Sequence, residues 1–114
     1  MSSMNEKELK EIIFSHLMEL SIPPHLLGYK YFKEVIFLCL NNEEYIYNFP
    51  ELMSKLSLKF DSTKINMERS MRHSITQAWE INKEAFLKRN MSQKPRVKEF
   101  ISVVSEVIRL DNLK

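Results

Sequence analysis

The sequence predicts an all-α protein with about six helices in one compact domain, residues 1–114. The chain has 114 residues, 44% of them hydrophobic, which is enough to bury a single core. It contains one glycine and four prolines, few enough for a mostly helical structure with short connections. Apolar residues recur three and four positions apart through most of the chain, which is the spacing of amphipathic helices.

Two helices are predicted in the first part of the chain. Ser3 and Glu6 fit a capping box that opens the first helix, whose apolar stripe is Leu9, Ile12, Ile13, Leu17 and Leu20. Residues 21–28 form a connector that contains two adjacent prolines and the only glycine. The second helix, at about 29–40, becomes apolar on all sides, which is typical of a helix at the centre of a fold. Residues 41–48 are predicted to be a turn region.

A helix-turn-helix is predicted at about residues 50–80. Its first helix has an apolar seam of Leu52, Met53, Leu56 and Phe60. Its second helix, at about 63–80, starts at Thr63 as the N-cap and packs inward through Met67, Met71, Ser74, Ile75 and Ala78. A short helix, a tight turn and a longer helix with arginines near its start are the layout of a DNA reader. A short basic helix from Asn82 and a last helix that begins near Pro95 complete the prediction.

The outward face of the helix at 63–80 has the chemistry of a DNA-binding surface. Glu68, Arg69, Arg72, His73 and Thr76 share that face, because residues three and four apart are neighbours on a helix. Arginine can donate two hydrogen bonds to guanine, and a carboxylate can accept one from cytosine. Residues 59–98 carry ten Lys or Arg and four Asp or Glu side chains, whereas residues 1–58 carry five and eight. This asymmetry suits a polyanionic partner, and a solvated basic face is the alternative explanation.

The sequence gives little evidence for a membrane protein, a metal-binding protein or an enzyme. Cys39 is the only cysteine and lies in a six-residue apolar run, too short to cross a bilayer, so we expect a buried, inert thiol and no membrane association. The histidines, His16, His25 and His73, lack metal-ligand spacing, and His16 is expected to be partly buried. Trp79 is expected in the core. Without a nucleophile elbow or a phosphate-binding glycine loop, we expect no enzyme, no cofactor and no metal. The single cysteine fits a reducing cytoplasm, and no export signal is seen, so we expect a cytoplasmic protein, associated with the nucleoid if it binds DNA.

Four segments then identify a family resemblance. In order, they are IPPHLLGYKYFKEVI at 22–36, KLSLKFDST at 55–63, MERSMRHSITQAW at 67–79 and EFISVVSEVIRL at 99–110. They resemble the carboxy-terminal effector domain of the sporulation stage-0 protein A family, the master sporulation response regulators of endospore-forming bacteria. The resemblance runs from about Leu9 to Leu110. It implies a transcription regulator that binds specific duplex DNA, with helix 63–80 in the major groove of a box resembling TGTCGAA.

The resemblance also implies roles for single residues. Glu68 and Arg69 read base edges, and Arg72 and His73 lie beside the DNA backbone. Lys64 and Asn66 depart from the family, which usually has proline and arginine there. We assign Asn66 to base reading, and Lys64 and Thr63 to the backbone, although the same bases or phosphates need not be contacted.

Two protein partners are also implied. Family members can contact the primary sigma factor of RNA polymerase near the segment after the reading helix, which here exposes Lys83, Lys88 and Arg89. The apolar arc of helix 96–110 predicts a weak homodimer, or else it closes the core. The alternative function is a helical protein-interaction module that titrates a regulator or RNA polymerase and binds DNA weakly. The family's receiver domain has no counterpart in the chain, which fits a stand-alone effector or an excised fragment, and the start MSSMNEKELK slightly favours the former.

Overall fold

The computed structural model describes residues 4–112 and confirms the all-α prediction, since that range contains helices and no strand. Its seven helices are α1 (Glu6–Glu19), α2 (Leu27–Asn41), α3 (Glu44–Tyr47), α4 (Phe49–Phe60), α5 (Lys64–Ile81), α6 (Lys83–Leu87) and α7 (Val97–Asn112). The helix beyond the six expected is α3, a single turn in the segment predicted as a turn region. None of these helices is long and apolar enough to span a membrane.

The second helix lies at the centre of the fold, as predicted. α2 packs against α1, α3, α4, α5 and α7, and its Phe32, Val35, Ile36 and Cys39 have no exposed surface. An aromatic chain continues outward from it, with ring centroids 4.7 Å apart for Phe32–Phe100, 6.0 Å for Phe100–Phe86 and 5.4 Å for Phe86–Trp79. Because these rings belong to α2, α7, α6 and α5, their contacts join the late helices to the centre. Burial of each phenylalanine contributes about 1.5–3 kcal/mol.

The start of α1 differs from the prediction. Ser3, the expected cap, lies outside the described residues, and the helix is capped by Asn5. Asn5 Oδ1 accepts a hydrogen bond from the Glu8 amide at 2.8 Å, and Glu8 Oε1 accepts one from the Asn5 amide at 3.2 Å. The reciprocal pair is a capping box shifted two residues along the chain, since Asn-x-x-Glu satisfies the same geometry.

The only glycine has a different role from the one predicted. Gly28 lies in the first turn of α2, not in the connector, and its φ is not positive. A Cβ atom at this position would lie 1.9 Å from Ser74 Oγ and 2.6 Å from the Ser70 carbonyl oxygen. Glycine is therefore required because α2 and α5 approach each other closely, and this contact helps to set the position of α5.

Candidate nucleic-acid interface

α5 has one buried side and one exposed side, as the sequence predicted. Its buried residues are Met67, Met71, Ser74, Ile75 and Ala78. The outward face carries Lys64, Asn66, Arg69, Arg72 and His73, all exposed, with Glu68 half-buried at one edge. Since these side chains do not contribute to the core, they are available to a partner of the folded protein.

A short link orients α5 relative to α4. Asp61 ends α4 in the left-handed region, with φ 49° and ψ 50°, which aspartate tolerates better than most residues. Thr63 then caps α5 as predicted, because its Oγ1 accepts a hydrogen bond from the Asn66 amide at 3.1 Å. α4 is anchored to α2 by an ion pair of 2.9 Å between Lys59 Nζ and Glu34 Oε1. Only residues 61–63 separate the two helices, so the packing of α4 also restricts α5.

The charges on the outward face of α5 are not neutralised within residues 4–112. The ion pairs in that range are Lys10–Glu6, Lys59–Glu34, Arg89–Glu19 and Arg109–Glu43. Lys64, Arg69 and Arg72 are therefore free to donate hydrogen bonds to an external acceptor. An exposed arginine presents a planar fork of N–H donors that matches guanine or phosphate oxygens. α5 can consequently meet a polyanion without breaking an internal ion pair.

One edge of the outward face borders a groove of about 520 Å³. Its lining residues are Phe49, Glu68, Arg72, Lys94, Pro95, Arg96, Val97 and Lys98. Lys94 Nζ donates a hydrogen bond to Thr76 Oγ1 at 3.2 Å, which holds the segment before α7 against α5. Three cations of this groove, Lys94, Arg96 and Lys98, were not predicted from the sequence to lie near the outward face of α5. The alternation of cationic and apolar residues in KPRVK was the signal that could have indicated them.

The opposite edge of the outward face borders the start of α2. A pocket of about 310 Å³ there is lined by His25, Leu26, Leu27, Gly28, Ser70 and His73. His73 and Arg72, both predicted to lie beside the DNA backbone, thus occupy opposite edges of α5. This arrangement fits a helix in a major groove, where one phosphate strand runs along each side.

The surface predicted to contact polymerase is only partly exposed. Lys83 and Lys88 are exposed, and Lys83 Nζ lies 5.8 Å from the ring centroid of Trp79. The prediction that Arg89 is exposed was wrong, since its side chain is 9% exposed and Nη2 lies 3.3 Å from Glu19 Oε2. Glu19 is the last residue of α1, so the guanidinium meets both a carboxylate and the negative end of a helix.

The apolar arc of α7 mostly closes the core. Val97 and Val104 are buried, whereas Val103 and Val107 are half-buried and Leu110 is 58% exposed. The surface left for a second copy of the chain is therefore the narrow strip Val103, Val107 and Leu110.

The buried and half-buried histidine, cysteine and tryptophan side chains of residues 4–112 show no sign of a catalytic or metal site. Burial, and secondarily the nearby Arg89, lower the pKa of His16, which is half-buried as predicted. Burial raises the pKa of Cys39 to about 11, so the thiol is protonated at neutral pH. Trp79 is half-buried against Phe86. Between residues 4 and 112, no three His, Cys, Asp or Glu side chains are grouped so that they could hold a metal ion.

Comparison with known protein families gives a match over most of the chain. The family model described as sporulation initiation factor Spo0A C terminal matches residues 13–108 of the 114 residues. The matched range includes all of α2 to α6, and thus α5 with the residues along both of its edges.

Proposed function

We propose a function that starts from a family assignment: the chain belongs to the Spo0A C-terminal family, a family of DNA-binding effector domains that regulate transcription in sporulation. The resemblance in the sequence is thereby confirmed, and the family is a regulatory one, not one of enzymes. Within this frame, we propose that the chain recognises a specific duplex sequence resembling TGTCGAA. As part of the same proposal, the protein acts in the cytoplasm, bound to the chromosome.

In this proposal, α4, the link 61–63 and α5 act as a helix-turn-helix within one domain, and α5 enters the major groove. Arg69 and Asn66, exposed on the outward face, and Glu68 at its edge contact base edges. A bidentate Arg69 contact to guanine and a Glu68 contact to cytosine are the pairings that these side chains favour. The observation that carries the proposal is the row of exposed, unpaired charged side chains on a helix whose opposite side is fully packed.

Backbone contacts come from the start and the edges of α5. Lys64 and Arg72 donate to phosphates, and His73 lies beside the other strand. Thr63 Oγ1 already accepts the Asn66 amide hydrogen bond, so its hydroxyl proton is the group left to donate to a phosphate. Contacts of this kind fix the register of the protein on DNA without reading sequence.

Two protein contacts extend the proposal. Lys83 and Lys88 are the exposed cations left for a sigma-factor contact after the burial of Arg89. Weak pairing of two effector domains through the strip on α7 is proposed for adjacent boxes, since Leu110 remains exposed.

The test is a comparison of two labelled duplexes by fluorescence anisotropy at one salt concentration. One duplex carries a TGTCGAA box, and the other carries the same bases in scrambled order. Each mismatched base pair typically costs about 1–3 kcal/mol, so several mismatches are expected to weaken binding by a factor of roughly 100 or more. Equal affinity for the two duplexes would contradict the proposal and favour the protein-interaction module that titrates a regulator or RNA polymerase.

A further inference from the structure

The segment 94–98 places three cations on one side of the chain. Pro95 and Val97 are buried, whereas Lys94, Arg96 and Lys98 are exposed. The segment leads into α7, which begins at Val97. Of the ion pairs formed within residues 4–112, none involves these three cations.

The cations at the start of α7 do not stabilise the fold. Arg96 directly precedes α7 and Lys98 lies in its first turn, where the positive end of the helix dipole disfavours positive charge. Across the groove Arg72 adds a fourth cation, and Glu68 is the one carboxylate among the lining residues. The four cations repel one another, and an anion held between them would relieve that repulsion.

We propose that this groove binds the phosphodiester backbone of duplex DNA, at phosphates that flank the box read by α5. The inference rests on the proposed function and extends it to residues outside the helix-turn-helix. The Lys94–Thr76 hydrogen bond places the segment beside the outward face of α5. Phe49, at the start of α4, lines the same groove, and the first helix of a helix-turn-helix crosses the DNA backbone. One phosphate strand therefore meets Arg72, Lys94, Arg96 and Lys98, while the other passes the edge with His73.

The first test measures the salt dependence of DNA binding. A triple variant carries Lys94→Gln, Arg96→Gln and Lys98→Gln, and its matched control carries Lys7→Gln, Lys10→Gln and Lys33→Gln. The control removes the same number of charges from a separate groove between α1 and α2. Each lost phosphate contact makes the plot of log K against log salt shallower by about 0.9. Between 50 and 200 mM salt, wild type should lose about 40 times more affinity than the triple variant, and the control should behave as wild type.

The second test locates the contacts by replacing single phosphates of the duplex with neutral methylphosphonates. Replacement of a few consecutive phosphates on one strand should weaken DNA binding by wild type. The same replacements should leave the affinity of the triple variant unchanged. Circular dichroism checks that each variant is folded. Lys94→Gln alone, which lies outside α7, should make the plot of log K against log salt shallower by about 0.9.

Two results would overturn the inference. The first is a triple variant that keeps the wild-type slope of log K against log salt and is weakened by the same phosphate replacements. The groove would then not bind DNA, and another polyanion, such as an acidic peptide, would be its ligand. Wild type that binds neither the box nor the scrambled duplex would overturn this inference and the proposed function together. If wild type binds both duplexes equally, only the proposed sequence recognition is refuted. The salt dependence of wild type and the triple variant then still decides whether the groove contacts phosphates.

Discussion

Replacement of Gly28 by alanine is expected to destabilise the protein, although alanine is the better helix former. Helix propensity alone would stabilise α2 by at most about 1 kcal/mol. The new Cβ would lie 1.9 Å from Ser74 Oγ and 2.6 Å from the Ser70 carbonyl oxygen, and real Cβ contacts are essentially never under 3.0 Å. The Ser70 oxygen belongs to the α5 backbone, so rotation of a side chain cannot relieve that contact.

The magnitude follows from the balance of these two effects. Insertion of a methylene into a packed interior costs about 1–3 kcal/mol. A Cβ atom 2.6 Å from a backbone oxygen belongs at the upper end of that range, so a propensity gain of up to about 1 kcal/mol leaves a net loss of roughly 2 kcal/mol. In a domain of this size that loss lowers Tm by about 4 °C or more. Adding Ser74→Ala to Gly28→Ala should restore only part of the stability, because the contact with the Ser70 oxygen persists.

Urea unfolding followed by far-UV circular dichroism measures the free energy of unfolding of wild type, both single variants and the double variant. DNA affinity is then measured well below the transition, where shifted packing of α5 should weaken binding by the Gly28→Ala variant. A Gly28→Ala variant that is more stable than wild type would refute the close approach of α2 and α5, and with it the described position of the reading helix.

Three further outcomes are expected. The folded-state pKa of His16 is lowered from 6.5, so the unfolded chain binds a proton that the folded chain resists; the free energy of unfolding should fall as pH drops below about 6.5. His16→Gln should remove that part of the pH dependence, and an unchanged profile would contradict the burial of His16. Two adjacent boxes should bind the protein cooperatively and Leu110→Glu should abolish the effect, whereas equal affinity per site on single and double boxes would count against pairing through α7. Lys83→Glu with Lys88→Glu should reduce transcription activation while DNA binding is kept, and an equal loss of both would mean that these lysines contact phosphate.

The features that the sequence predicted well depend on neighbours along the chain. The seam of α5 was predicted residue by residue, and the Thr63 cap as well, because helix periodicity and capping act over three or four positions. The central place of α2 followed from its apolar character on all sides. The family resemblance, carried by four short segments, was likewise confirmed.

The features that were missed depend on contacts between distant parts of the chain. Gly28 was expected in the connector 21–28, because nothing near it in the sequence predicts its close approach to Ser70 and Ser74 of α5. Arg89 was expected at the surface because its partner Glu19 lies on a helix seventy residues earlier. The last helix was expected to begin near Pro95, but the pattern of residues 94–98 does not predict that this segment lies against α5, since Lys94 contacts Thr76, eighteen residues earlier.

The most direct test of DNA reading by α5 compares Arg69→Ala with Arg72→Ala on the TGTCGAA box and on random duplex DNA. Arg69→Ala should lose about 1–3 kcal/mol on the box and little on random DNA, because it removes a bidentate base contact. Arg72→Ala should weaken binding to both by similar factors, with a salt dependence shallower by roughly one. If Arg69→Ala folds normally and binds the box as tightly as wild type, α5 does not read the DNA sequence through Arg69.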